Sequence, residues 1–246
     1  MKIKNFKKKK DGFYQITLEN TLTITIHEDL ILKYELLLKK EISLEDMASL
    51  EKENQIYMGY AKAIKKIKTK LRSTKEIDLY LKKEAFDKEQ ITDIIAILTR
   101  QGYLNDEVYA NAFVNDRIHL SKDGPQKIEN ALRQEGIKNE IIEQALSCYT
   151  EELQEERIQK LIAKEIKSNH TKSGKMLEQK ILYHLIELGY ERSAIAEQLQ
   201  KQTFYDTDIR QKEYDKLYRT LSKKYEGKKL EQRIRTRMYQ KGFRDF

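Results

Sequence analysis

Apolar positions recur along this chain in a spacing that repeats itself. Ile77, Leu81, Ala85-Phe86, Ile91 and Ile95 set the pattern. The same offsets from Ile128 give Leu132, Gly136-Ile137, Ile142 and Leu146, and from Ile181 they give Leu185, Gly189-Tyr190, Ile195 and Leu199. From Ile234 come Met238 and Gly242-Phe243. The four starts lie 51, 53 and 53 residues apart, which marks an internal repeat. Apolar residues four apart share one face of a helix. The glycine behind the last turn can take positive φ and close the helix, and the large apolar residue after it folds back on the core. A second amphipathic helix follows and another precedes each pair, so a unit has three helices. The pattern predicts units over residues 55–103, 104–149 and 150–204, and a truncated fourth of two helices over 205–246. At Ala85 the glycine is missing, which predicts Ala near the left-handed region at a modest cost.

Residues 1–54 read differently. Residues 13–18 and 22–26 alternate with period two and are rich in β-branched and aromatic side chains, with Glu19-Asn20-Thr21 as the turn between them. This predicts a β-hairpin. Lys2 to Phe6 adds a possible strand, and Lys7 to Lys10 reads as a connecting loop, either a solvated turn or a contact for an anionic partner. One short helix is expected over 29–38, carrying Leu30, Ile31, Tyr34, Leu37 and Leu38. Ser43 opens a second over 44–52.

Capping signals place the remaining helices. Ala61, Ile64, Ile67 and Leu71 face inward on the first helix of the first unit, and Lys62, Lys65, Lys66, Lys68, Lys70 and Arg72 occupy its outer faces. Ser73 with Glu76, and Asp87 with Gln90, form capping boxes. Gly102-Tyr103 stops a helix, and Asn105 or Asp106 caps the next, whose apolar face is Tyr109, Ala110, Phe113, Val114 and Ile118. Gly124-Pro125 is a break, with Pro125 at a first helical position. A long helix over about 150–168 turns Leu153, Ile158, Leu161, Ile162 and Ile166 inward and gathers Glu151, Glu152, Glu155 and Glu156 at its start. Ser173-Gly174 caps the next helix, and Asp206 or Asp208 caps one carrying Tyr214, Leu217, Tyr218 and Leu221. The spacing of that tyrosine pair among leucines favours core packing over base stacking. Arg233 and Arg237 share a face of the last helix, and Arg235 points elsewhere.

Composition agrees with small stacked units. Of 246 residues, 39% are hydrophobic and 36% charged, which is too polar for one thick core and suits an array packing neighbour on neighbour. The net charge of +8 is uneven: residues 60–75 hold seven basic and no acidic side chains, residues 76–209 hold 18 against 25, and residues 210–246 hold 13 against 5. Two basic blocks flank an acidic middle, a feature that concerns partners rather than fold. The single Cys148 excludes an internal disulfide and fits a reducing cytosol. Neither a secretory leader nor a run near the roughly 20 apolar residues of a membrane span is evident, so a cytoplasmic location is expected.

No catalytic constellation emerges. His27, His119, His170 and His184 lack metal-ligand spacing, and there is no phosphate loop or nucleophile elbow. Cys148 beside Leu146 reads as a small core residue. No enzyme, metal or cofactor is expected.

Lys70-Leu71-Arg72-Ser73, Glu76, Tyr80-Leu81, Gly102-Tyr103-Leu104-Asn105-Asp106 and Tyr109-Ala110 resemble the RecX family, the regulators of the RecA recombinase. Gly124, Leu132, Gly136-Ile137 and Ile142 continue the pattern. The resemblance covers about residues 57–246, and the hairpin region is similar to the extension of longer, Gram-positive-type members. Lys70 stands where the family usually has Arg, and Ala85 where it usually has Gly. The resemblance implies a mainly α protein, an elongated curved array of tandem three-helix repeats behind a small region containing a β-hairpin. It also implies a partner: RecA and its filament on single-stranded DNA, whose recombinase, ATPase and coprotease activities such proteins lower. Weak direct DNA contact and a monomer are expected. Lys62, Lys66, Lys70, Arg72, Arg233, Arg235 and Arg237 are the candidate contacts. Ser73, Glu76, Gly102, Tyr103, Leu104, Asp106, Gly124 and Gly136 are the structural residues of the motif. The competing reading is a stand-alone nucleic-acid-binding module with helix-turn-helix-like units.

Overall fold

The repeated apolar pattern becomes helix almost throughout. The computed structural model describes residues 1–169, 171–202 and 207–243, and among them lie three strands and thirteen helices. Backbone contacts divide the chain into two units, Met1–Ala110 with Glu135–Lys138, and Asn111–Gln134 with Asn139–Phe246.

The first unit begins with an antiparallel sheet of β1 (Ile3–Lys8), β2 (Phe13–Leu18) and β3 (Thr23–His27), in the order β1-β2-β3. The hairpin is as expected, with Ile16 opposite Ile24. Strand β1 runs further than expected, so Lys7 and Lys8 pair with Gln15 and Tyr14 instead of forming a loop. The helix expected over 29–38 is broken into α1 (Glu28–Lys33) and α2 (Leu36–Lys39). Glu35 takes φ 52° at the break, which turns Leu36 into the core and leaves Leu37 and Leu38 exposed. The two helices expected over 44–52 and from 55 are one, α3 (Leu44–Ile67), unbroken through 54 and 55 and capped by Ser43. Asn54 on α3 completes the exposed edge of the sheet: its amide donates to Thr25 O at 2.7 Å and its carbonyl accepts from His27 N at 3.1 Å. Ile16, Leu18, Ile26, Leu30, Leu36, Ile42 and Leu50 form the core beneath.

Helices α4 (Thr74–Lys83) and α5 (Lys88–Arg100) follow, each opened by its capping box. Ile77, Leu81, Ile91, Ile94, Leu98 and Leu104 close on Ala63. Leu71, expected inward, is exposed, because α3 ends at Ile67 and the chain leaves it to bring Ser73 to the start of α4. Ala85 has φ 65°, and Phe86 N–H returns to Leu81 O at 3.2 Å, so the glycine-free turn closes like the others.

Helix α6 (Asp106–Leu120) continues into the second unit, which holds α7 (Pro125–Gln134), α8 (Asn139–Leu146), α9 (Glu151–Lys167), α10 (Gly174–Glu187), α11 (Arg192–Gln200), α12 (Thr207–Leu221) and α13 (Gly227–Gln240). Asn105 is the cap of α6, accepting from Glu107 N and Val108 N. The residues that define the repeat are buried alike: Ile77, Ile128, Ile181 and Ile234 are all 2% exposed or less. Leu230, Ile234, Met238 and Phe243 form the last core with Leu217, Leu221 and Tyr225. Tyr214 and Tyr218, expected in it, are instead exposed. Cys148 is also exposed, since α8 ends at Leu146. His170 and the cap candidate Asp206 lie outside the described residues.

Two of the closing turns, at Gly189 and Gly242, lie against the starts of the earlier helices α7 and α10 and touch them through backbone. Gly124 N–H donates to Leu188 O at 2.6 Å and Gln126 N–H to Gly189 O at 3.1 Å. A Cβ on Gly124 would stand 2.6 Å from the Gly189 backbone, and one on Gly189 2.4 Å from Lys127 N. Gly102 differs: its φ is +75°, but a Cβ there would meet nothing within 4 Å. Gly102→Ala is therefore expected to cost about 1 kcal/mol from backbone strain alone. Gly124→Ala, at ordinary φ, is expected to cost at least about 2 kcal/mol through forced separation. Urea unfolding of both variants measures this, and equal midpoints would refute the contact.

His27 supplies a pH test. Its Nδ1 accepts from Asp29 N at 3.3 Å as cap of α1, and its ring stacks on Tyr57 at 4.5 Å between centroids. Burial pushes its pKa down, against the charges of Asp29 and Glu28. A histidine depressed on folding contributes stability that is complete above its unfolded pKa, about 6.5, and is lost as pH falls toward the folded value. As pH falls from about 7 to about 5, hydrogen exchange at the Asp29 amide is expected to slow less steeply than base-catalysed chemistry alone dictates. His27→Asn, which keeps a cap acceptor without titrating, is expected to remove that extra dependence.

Candidate interaction surfaces

The residues expected to meet a partner fall into two clusters that the structure treats differently. The first sits where α3 ends and α4 begins. Lys62 Nζ is 2.7 Å from Glu84 Oε2 and 5.5 Å from the centre of the Phe86 ring. Lys66 Nζ lies over Tyr80 at 5.4 Å. Lys70 Nζ and Arg72 Nη1 both reach Glu76 Oε1, at 3.4 and 2.9 Å. The Arg72 side chain is only 15% exposed. Burial alone would raise the Glu76 pKa; the Arg72 hydrogen bond, the Ser73 amide and the charges of Lys70 and Arg72 outweigh it and hold the carboxyl below its usual range. These cations are thus largely spent on acidic and aromatic neighbours.

The motif residues around them build the helix start. Ser73 accepts from Glu76 N at 3.1 Å and donates to Glu135 Oε2 at 3.2 Å. Asp106, a cap candidate for α6, instead accepts from Thr74 N at 2.9 Å and so serves α4. Three carboxylates, Glu76, Asp106 and Glu135, gather on one helix N-terminus, where the dipole favours them. Tyr109 packs beside them; its phenol is pushed up to about 12 by burial and by the charges of Glu135 and Glu76. Leu104 is in the core, Tyr103 is exposed, and the Gly136 backbone rests on the Lys75 side chain.

Lysines outside the expected set adjoin this end. Lys65 Nζ pairs with Asp11 at 2.9 Å, beside exposed Lys7 to Lys10. The Lys65 hydrogen bond, aided by the charges of Lys65, Lys68 and Lys10, holds the Asp11 carboxyl below its usual range.

The second cluster lies on α13. Arg233, Arg235 and Arg237 are all exposed. Arg233 lies 5.5 Å from the centre of the Tyr225 ring, which Lys229 also approaches at 5.8 Å. Arg235 and Arg237 make no ion pair with any described residue. Arg235 lines an open groove with Tyr214, Lys228, Glu231, Gln232 and Ile234. Glu213, next to Tyr214 on α12 and 3% exposed, pairs with Lys241.

Arg157 was not singled out from the sequence. It donates to Ile118 O at 2.5 Å and Ser121 O at 2.7 Å, closing the end of α6, and to the Tyr190 hydroxyl at 3.3 Å. Its polar partners come from 33 to 39 residues away, so no local pattern reveals them. Among the described residues no three His, Cys, Asp or Glu are placed to hold a metal, and no helix is long and apolar enough to cross a membrane.

A mainly helical chain of repeated three-helix units, with a basic end, is the class these features define. A family model described as "RecX, second three-helix domain" matches residues 105–146. The chain is 31% identical over 235 residues to "Regulatory protein RecX" of Listeria monocytogenes serotype 4a, covering 94% of this chain and 87% of that one. It is 30% identical over 249 residues to the protein so named in Streptococcus agalactiae serotype III, covering 99% and 95%. Among solved structures, a "Crystal structure of regulatory protein RecX" matches with TM-score 0.73 at 25% identity over 82% of this chain and 99% of that one. RecX from Lactobacillus salivarius matches with TM-score 0.56 at 29% identity over 59% and 95%. The chain belongs to the RecX family of regulatory proteins.

The two clusters predict different mutant behaviour. Arg72→Ala is expected to lower stability by about 1–3 kcal/mol, since it strips a partly buried carboxylate of its main partner. Arg235→Ala is expected to change it by less than about 0.5 kcal/mol. Thermal unfolding of both reads the difference, and equal losses would contradict this division of roles.

Proposed function

We propose that this protein binds the RecA recombinase and its filament on single-stranded DNA, and lowers recombinase, ATPase and coprotease activity in DNA repair and SOS control. Family membership supports a regulatory role, and the motif resemblance supplies the partner. The observation that carries the reading is the set of like modules with buried positions in register at Ile77, Ile128, Ile181 and Ile234. A protein of repeated modules suits a polymer of repeated subunits. The units at 55–103, 104–149, 150–204 and 205–246 would each meet similar surface on successive protomers. Arg233, Arg235 and Arg237 are the favoured contacts, because two of them make no ion pair with a described residue. In this account the protein occupies the filament groove sterically and electrostatically, bridges protomers, excludes other partners and biases the filament toward disassembly. It acts in the cytoplasm as a monomer.

The test is RecA ATPase driven by single-stranded DNA, with this protein added below stoichiometry. Wild type is expected to inhibit, and reversal of Arg233, Arg235 and Arg237 to Glu to weaken inhibition at least about tenfold, more strongly at low salt. An assay indifferent to the wild-type protein would end the proposal, and an equally potent mutant would clear the C-terminal cluster.

A further inference from the structure

Tyr214 and Tyr218 stand one turn apart on α12, with ring centroids 6.4 Å apart and planes inclined by 22°. They are 36% and 49% exposed. Two aromatic rings side by side, on a helix whose Leu217 and Leu221 pack inward, are an apolar patch that the described residues leave uncovered. Tyr214 borders the open groove of about 460 Å³ whose other wall carries Lys228 and Arg235. Those two lie seven apart on α13, so they project on the same side, away from the buried stripe of Leu230, Ile234 and Met238. Neither makes an ion pair with a described residue.

We infer that this groove binds single-stranded DNA, with bases stacked on the tyrosine rings and phosphates against Lys228 and Arg235. The inference rests on the proposed function, which identifies the strand. Aromatic platforms beside a cationic track are how sequence-tolerant single-strand sites are built, because every base has a π face. A duplex hides those faces in its own stack and offers only edges and phosphates. An acidic peptide would engage the cations but leave the rings uncovered. Glu231, within the groove, opposes an anion there and suits a base amino group. The tyrosines thus hold the base side of the strand, and the cations hold its backbone.

The experiment uses the full chain without any recombinase. Binding of a labelled oligothymidylate is followed by anisotropy at low salt, and tyrosine emission by quenching, in a protein with no tryptophan. Wild type is expected to bind with quenching and to prefer this strand to a duplex of equal length. Combined Tyr214→Ala and Tyr218→Ala is expected to weaken binding about tenfold or more, whereas the two Phe substitutions retain most of it. Combined Lys228→Gln and Arg235→Gln is expected to flatten the log–log salt dependence by about 1.4. Circular dichroism melting checks that each variant folds; if the alanine pair does not, the salt slope of the Gln pair decides. Equal affinity for duplex, unchanged binding by the alanine pair, or an unchanged salt slope overturns the site. Because RecA is absent, these results are independent of the ATPase assay: a failed site leaves inhibition to be measured, and failed inhibition leaves the site standing.

Discussion

The first amides of a helix have no partner within it, and this structure answers that shortage between repeats. Gly124 and Gln126 of one helix start donate to Leu188 and Gly189 at the end of another. Ser173 N–H donates to Lys241 O at 3.2 Å in the same way. At the first such start, side chains substitute: Glu76, Asp106 and Glu135 collect on Ser73 and Thr74. Positive helix start meets negative helix end or carboxylate each time, so the dipoles agree with the hydrogen bonds. Each bond contributes only about 1 kcal/mol net, but leaving those groups buried and unmet would cost more. Backbone can approach backbone here because glycines stand at 124, 189 and 242, and a Cβ on Gly242 would fall 2.4 Å from Ser173 Oγ.

That constraint settles where the charges go. Around α4 the cations Lys70 and Arg72 balance carboxylates already drawn to the helix start, so their conspicuous density in the sequence serves the fold. Near the last repeat the described acids are few and one of them, Glu213, is buried against Lys241. The arginines of α13 are left facing solvent beside exposed tyrosines. Composition alone ranks the two basic blocks alike, and local geometry separates them.

Much of this was legible because it is local. The repeat, the capping boxes at Ser73 and Asp87, the positive φ of Ala85, the hairpin and Pro125 at a helix start all follow from neighbours within a few residues. What was misread depends on distant contacts. Nothing near Glu35 signals that Leu36 is claimed by the sheet, and no break divides residues 44–67, because the two-helix reading came from a cap and an inferred unit edge. Tyr214 and Tyr218 have core spacing, yet Leu230, Ile234 and Met238 fill the core with Leu217 and Leu221, and the rings stay on the flank. Of the candidate contacts, pattern found the arginines of α13 and the tyrosine pair, which it assigned to the core, but not Lys228; Tyr214 comes near Arg235 only when α12 packs on α13.

The most direct measure of the central claim is native-state hydrogen exchange at the Gly124, Gln126 and Ser173 amides. If helix starts are closed by the backbone of a later repeat, these amides exchange as slowly as those in the middle of α7 and α10. Exchange at the rate of a fraying helix end would mean that the repeats are not joined in this way.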